Sequence, residues 1–414
     1  MRVMFAVWPA ASHLYPAIPL AWALQGAGHE VCFASSHDLA DTITAAGLNA
    51  VGLGDKDTMP SLDYETVQRF TLADEDRDRV IEAFQDDPAE SEAATMFATF
   101  LMTSMRMFHH GPGRLPGVDD LVDFAVAWKP DLVLWDMLWP AAAIAARVSG
   151  AAHARQLWGP DYCGWAVENL PRTTNPLVEM MRPLAQRHGV ELDDELLLGQ
   201  WTIDPTPEEL RIPTGTRVVP VRRLPYTGVQ TVPESLYGKP ERPRVALTLG
   251  MSHRNIGGPE AAIATMLEMV GGLDIEVVAT LNAEQLAGQT VPPNVSTVDF
   301  VPLGQLLPTC SAIIHHGGGG TLTTAIAHKV PQLIDSGGFE SFTYSRYALD
   351  NGAGLTIDQD EQTVDEMRKR LMQVIEDPAF AAGTERLYAS WLAMPSPNDI
   401  VPVLEGLTAA HRDQ

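Results

Sequence analysis

Residues 312–321 read AIIHHGGGGT, and the chain continues through 321–329 as TLTTAIAHK. An apolar run that breaks into four glycines and a threonine predicts a buried strand, a tight turn and the start of a helix. The first turn of a helix carries N–H groups without intrahelical partners and the positive end of the helix dipole, so such a corner suits an anion. Glycines 317–320 let the backbone come close to phosphate oxygens and adopt positive φ, while Thr321 offers a hydroxyl and His316 an imidazole donor. A plain tight turn would use the same glycines, so the rest of the chain has to decide between the two readings.

At 414 residues the chain is long for one core and comfortable for two. Strand and helix patterns alternate on both sides of a proline-rich middle, which predicts an α/β protein built from two domains with mostly parallel sheets. The boundaries read as a first domain over 1–218, a linker over 219–242, a second domain over 243–392 and a helical tail over 393–414 that packs back on the first half. A formal charge of -25 argues against a general nucleic-acid surface, which would need Lys and Arg to neutralise phosphates. The three cysteines, Cys32, Cys163 and Cys310, have no metal-ligand spacing and are odd in number, which suggests a reducing compartment. The opening MRVMFAVW is too short for a signal peptide or a membrane span, so the expected location is cytoplasmic.

The first half opens with a strand from Arg2 to Trp8, a loop from Pro9 to Pro16, an amphipathic helix AIPLAWALQGAG and a second strand from Glu30 to Ser35. In a parallel sheet ligands gather at the carboxyl ends of strands, which places Ser12 and His13 where chemistry is expected. The loop lacks the G-x-G-x-x-G spacing of a dinucleotide site. His13 has the chemistry of a general base, though a loop histidine is also often a solvated or capping residue. A further strand, Asp131 to Asp136, ends in a carboxylate that could orient that histidine or cap the next helix. Trp135, Trp158 and Tyr162 lie near strand ends and could line a pocket for a large planar or apolar acceptor, with Trp165 nearby. The D-x-D patterns in DEDRD (74–78) and DQD (358–360) sit among polar residues and read as solvated faces, so no required metal is expected.

The second half restarts with a strand from Arg244 to Gly250, whose following turn, GMSHRN, carries Ser252 and Arg254. Phe300, beside Val301 and Pro302, could stack on a nucleobase. After the glycine run, the loop GGFESFTYSRYALD presents Glu340 and Ser341, and Glu340 could accept hydrogen bonds from sugar hydroxyls or amines.

Together these stretches resemble bacterial nucleotide-sugar glycosyltransferases of the GT-B fold that attach deoxysugars to antibiotic polyketides. The resemblance spans nearly the whole chain and is carried by SHLYPAIPLAWAL, AGHEV, HARQLWGPD, GQWTIDP, LTLGMSHR, FVPLGQLLPTC, HHGGGGT and KVPQ. Within that family it is nearest the macrolide and anthracycline branch. The resemblance implies two Rossmann-like, doubly wound domains facing across a cleft, with the polyketide aglycone on the first and a TDP-deoxysugar on the second. It implies an inverting transfer with His13 as base. The diphosphate would be held by His316, Gly318, Gly319, Gly320 and Thr321, and the donor faced by Ser252 and Arg254. Phe300 and Val301 would meet the base, and Glu340 and Ser341 the sugar, where many relatives carry Asp with Gln or Thr. The TDP-sugar is then a co-substrate, with no cofactor, no membrane and no nucleic acid. The branch also implies a haem-less, cytochrome-like activator protein and allows a homodimer. A nucleotide-sugar epimerase of the same shape, or a non-catalytic auxiliary subunit, would share the phosphate turn.

Overall fold

Residues 2–6, RVMFA, have an exposed arginine followed by four buried side chains, the pattern of a strand covered on both faces. In the computed structural model, which describes residues 1–55, 59–60, 64–111, 113–236, 238–250, 260–335 and 341–412, that strand lies inside a seven-stranded sheet. Its members are β1 (Arg2–Ala6), β2 (Glu30–Ser36), β3 (Asn49–Leu53), β4 (Leu132–Asp136), β5 (Ala152–Gln156), β6 (Trp201–Asp204) and β7 (Val218–Pro220). All pair in parallel, in the order β3-β2-β1-β4-β5-β6-β7. The order reverses between β1 and β4, which makes the carboxyl ends of those two strands the crevice where a ligand is expected.

A second sheet repeats the plan with β8 (Arg244–Thr248), β9 (Glu276–Thr280), β10 (Val295–Val298), β11 (Ala312–His315), β12 (Gln332–Asp335) and β13 (Gly354–Ile357). Its order is β10-β9-β8-β11-β12-β13, again parallel, with the reversal between β8 and β11. Side chains alternate along a strand. Ile314 therefore joins one apolar cluster with Leu247, Val277 and Leu371, and Ile313 joins the other with Ala246, Val278 and Leu306. Both faces being buried explains why the interiors of β8 and β11, residues 245–247 and 312–314, read as apolar runs.

The chain divides into two compact units, Met1–Arg222 with Pro395–Gln414, and Arg223–Met394. The C-terminal helix, Pro397–Arg412, belongs to the first unit and packs on the helix Ala11–Gly26 and on β5. It is tied there by Glu405, 2.9 Å from His29 Nε2, and by Arg412 on Asp131. The first unit's core gathers Trp135, Trp139, Phe97 and Met102, all fully buried or nearly so.

The segment from Pro9 to Pro16, expected as a loop, is largely helix, because the first helix already starts at Ala11. Pro16 and Pro19 lie inside it. A proline's φ is already helical, so each costs one intrahelical bond. Leu14, Ile18, Leu20 and Leu24 are buried along the same helix and offset that loss. The acidic stretch Asp74–Asp78 opens a helix and pairs with its own arginines, Arg77 with Asp74 and Arg79 with Asp76. Among the described residues no helix is long and apolar enough to cross a membrane.

Candidate active site

β1 ends at Ala6 and the next helix begins at Ala11, so Ser12 and His13 occupy its first turn, just past the carboxyl end of β1. β4 ends at Asp136. The sheet reversal sets these two ends side by side, and His13 Nδ1 lies 2.7 Å from Asp136 Oδ2. The side chains are 9% and 4% exposed, so the bond is shielded from water. The other carboxylate oxygen, Oδ1, accepts the N–H of Leu138 at 2.8 Å. With both oxygens committed, Asp136 is an acceptor and Nδ1 of His13 is the donor, so in the neutral ring Nε2 is the nitrogen that carries the lone pair.

Two indoles flank that imidazole, Trp8 at 4.9 Å and Trp158 at 5.0 Å between ring centroids. Trp8 is itself anchored, its Nε1 donating to the Ser104 carbonyl at 3.1 Å. Beneath the pair lies a cavity of about 10 Å³ bordered by Pro16, Ala17, Leu134 and Leu157, room for about one water. Such an arrangement can take a proton from a hydroxyl and stabilise the resulting imidazolium.

In the second unit β11 ends at His315, Gly317 takes φ 86°, and the helix Gly319–Ala327 begins with Gly318 as its N-cap. Only a residue without a β-carbon adopts the Gly317 conformation cheaply. The ring of His316 fills the space over Gly250 and Gly318: a β-carbon at Gly250 would sit 2.2 Å from its Cε1, and one at Gly318 2.6 Å from its Nε2. Arg223 Nη2 lies 3.2 Å from where a β-carbon on Gly320 would be. The helix start thus has a guanidinium beside the N–H groups of its first turn, a combination suited to a diphosphate. Among the described residues no group of three or more His, Cys, Asp or Glu is placed to hold a metal ion.

The remaining expected positions fall out as follows. Trp135 is 1% exposed and packs in the first unit's core, so its indole is not a pocket wall. Strand alternation turns it to the opposite sheet face from Asp136, the residue next to it. Trp158 is half-buried beside His13, and Tyr162 is buried with its hydroxyl 3.3 Å from Glu92. Val301 is 2% exposed inside an apolar cluster, leaving its backbone alone available to a ligand, whereas Phe300 is half-buried. Thr321 lies in the first turn of its helix. Ser252, Arg254 and Glu340 lie outside the described residues, as does the side chain of Ser341, whose backbone opens the helix Ser341–Asp350. Sequence reading missed Trp8, Arg223 and His315. The strand period could have pointed to His315, since it puts 313 and 315 on one buried face, but nothing local announces Trp8 or Arg223.

Two doubly wound parallel sheets, each with polar groups at its point of reversal, are the architecture of GT-B glycosyltransferases, and solved structures agree. The spinosyn forosaminyltransferase SpnP matches with a TM-score of 0.79 and 34% identity, over 99% of each chain. The glycosyltransferase VinC, solved in complex with dTDP, matches with a TM-score of 0.78 and 34% identity, over 99% of this chain and all of that one. The protein is a glycosyltransferase of the GT-B fold. Residues 22–250 match the N-terminal domain model, and 264–407 the C-terminal domain model, of the Erythromycin biosynthesis protein CIII-like family. The chain belongs to that family of antibiotic deoxysugar glycosyltransferases. Its relatives include the aclacinomycin-T 2-deoxy-L-fucose transferase of Streptomyces galilaeus, 43% identical over all of this chain and 97% of the other. Another is the 10-deoxymethynolide desosaminyltransferase of Streptomyces venezuelae, 40% identical over all of this chain and 98% of that one.

Proposed function

We propose that this enzyme moves a deoxysugar from a TDP-sugar to a hydroxyl of a polyketide aglycone, inverting the anomeric centre, with His13 as the general base. The observation that carries the reading is the shielded His13–Asp136 bond at the reversal of the first sheet, which leaves Nε2 as the proton acceptor. The acceptor hydroxyl gives its proton to Nε2, its oxygen bonds to the anomeric carbon, and the bond from that carbon to the diphosphate breaks. Charge growing on the leaving diphosphate is met by the helix N–H groups after Gly318, by Thr321 and His316, and by Arg223. Trp158 and Tyr162, with Ser12 beside the base, are the proposed acceptor contacts. Phe300 and the Val301 backbone are proposed for the nucleobase, and Ser252, Arg254, Glu340 and Ser341 for the rest of the donor.

The dTDP complex of VinC and the deoxysugar names of the relatives support the donor class. The reading is tested by a mass-spectrometric screen of TDP-deoxysugars against polyketide aglycones, run with and without a candidate auxiliary protein. A product heavier than the aglycone by one deoxysugar residue is expected. A sugar altered without any acceptor would instead indicate an epimerase. Turnover of several TDP-deoxysugars by the wild type and Glu340→Asp tests whether the longer acid sets donor preference, and identical preferences would remove that idea.

A further inference from the structure

The first histidine of the pair, His315, is 1% exposed and meets two partners with opposite demands. Its Nδ1 accepts the N–H of Gly317 at 3.1 Å, and its Nε2 lies 2.9 Å from Gln332 Oε1 on the neighbouring strand β12. A backbone N–H can only donate, so Nδ1 has to be unprotonated, and the ring proton has to sit on Nε2, where the Gln332 carbonyl oxygen receives it. The ring therefore reads as a neutral tautomer held from both sides, spanning from β12 to the corner of the glycine turn.

We propose that His315 is a positioning residue for the donor site. Its Nδ1 lone pair holds the Gly317 amide inward, which sets the positive φ of Gly317 and hence the direction in which the amides opening the next helix point. The inference rests on the reading that this turn holds the donor's diphosphate. Burial supports it by pushing the ring's pKa down to about 4, so the acceptor nitrogen stays free at neutral pH. The residues next to the ring add no charge: Thr248 on β8 and Ile334 on β12 stand in register with His315, and Gln332 is neutral, while the charged ends of those strands are Arg244 and Asp335. His316 is placed differently, since its ring lies over the turn against Gly250 and Gly318 and is partly exposed.

The test is dTDP affinity by calorimetry in three variants of the full chain. His315→Asn keeps an acceptor oxygen where Nδ1 was, whereas His315→Gln reaches only towards Gln332, and His315→Phe fills the volume with no acceptor. Affinity in His315→Asn is expected to stay within a few-fold of wild type, while the other two lose ~10-fold or more, the scale of one buried donor left unpaired. A role in packing alone would give the reverse order, with phenylalanine best and asparagine worst, and that order would overturn the proposal. Histidine-labelled protein gives a second measurement that does not depend on how the variants fold. The ¹⁵N resonances of His315, identified by their absence in the asparagine variant or by through-space contacts to Gly317, are expected to show the Nε2–H form, and an Nδ1–H form would refute it. Thr321→Val and His316→Ala separate the inference from the reading beneath it. If these bind dTDP normally, the diphosphate site lies elsewhere and both fall; if they weaken binding while His315→Phe does not, only the positioning role falls.

Discussion

Replacing Asp136 by asparagine changes no volume but removes one acceptor from a side chain with two commitments. Oδ1 receives the Leu138 N–H at 2.8 Å and Oδ2 faces His13 Nδ1 at 2.7 Å. An asparagine offers one acceptor oxygen and one NH₂. If its oxygen keeps the Leu138 bond, the NH₂ points at Nδ1, which has to become an acceptor, and the ring proton moves to Nε2. The lone pair that would take the substrate's proton is then gone. If the oxygen turns to His13 instead, a buried N–H is left unpaired at a cost of about 1–3 kcal/mol. The first arrangement leaves no partner of Asp136 unpaired and is the one expected, so the loss should approach that of removing the base outright, a factor of ~10²–10⁴ in kcat, equivalent to roughly 3–5 kcal/mol on the barrier. The assay is initial-rate kinetics of Asp136→Asn, His13→Ala and the double variant, with dTDP affinity measured alongside. Because the pair acts as one device, the double variant should be no worse than His13→Ala, and dTDP affinity should be unchanged in all three. Losses that multiply in the double variant, or full activity in Asp136→Asn, would refute the reasoning.

Three further outcomes are expected. Gly250→Ala places a methyl 2.2 Å from His316 Cε1 at a position with φ 76°, so it should lower Tm and weaken dTDP binding together, by about 1–3 kcal/mol of strain, as read by thermal melts and calorimetry. Removing Asp161 as Asp161→Ala leaves the fully buried Arg155 without its 2.5 Å partner, and should destabilise the first unit by about 3–5 kcal/mol in urea titrations. Finally, His109 and His153 are fully buried with pKa values pushed by burial down to about 4 and about 3. Each is neutral when folded and binds its proton more readily when unfolded, so stability should be intact above the ordinary histidine pKa and fall as pH drops from about 6.5 towards 4, by up to ~1.4 kcal/mol per pH unit for each ring. Among the described residues neither ring nitrogen of His153 has a hydrogen-bond partner; His153→Leu should therefore flatten that acid limb without weakening the fold at pH 7, and an unchanged slope would show that His153 does not contribute to it.

The apolar runs of β1, β4, β8 and β11, the glycine turn and the polar residues at strand ends were legible because each is a local pattern. Strand burial on both faces, a φ only glycine adopts and the free amides of a first helical turn are all properties of a few consecutive residues. The same local rules misplaced the start of the first helix, because Pro16 looks like a boundary and only the burial of Leu14, Ile18 and Leu24 shows that it is not. They offered Asp136 as a partner for His13 only as one option beside a helix cap, since the two lie more than a hundred positions apart and their 2.7 Å bond exists because β1 and β4 are neighbours in the sheet. Trp135 and Asp136 are adjacent in sequence, yet the pleat sends one into the core and the other to the site. In the same way, that His315 is the histidine bonded to Gly317 and Gln332 is visible only with β12 alongside β11. What the chain determined alone was therefore its elements and the chemical types at their ends. Which of those types meet was decided by strand order and side-chain alternation, because hydrogen bonds act over about 3 Å and only the folded sheet brings distant residues that close.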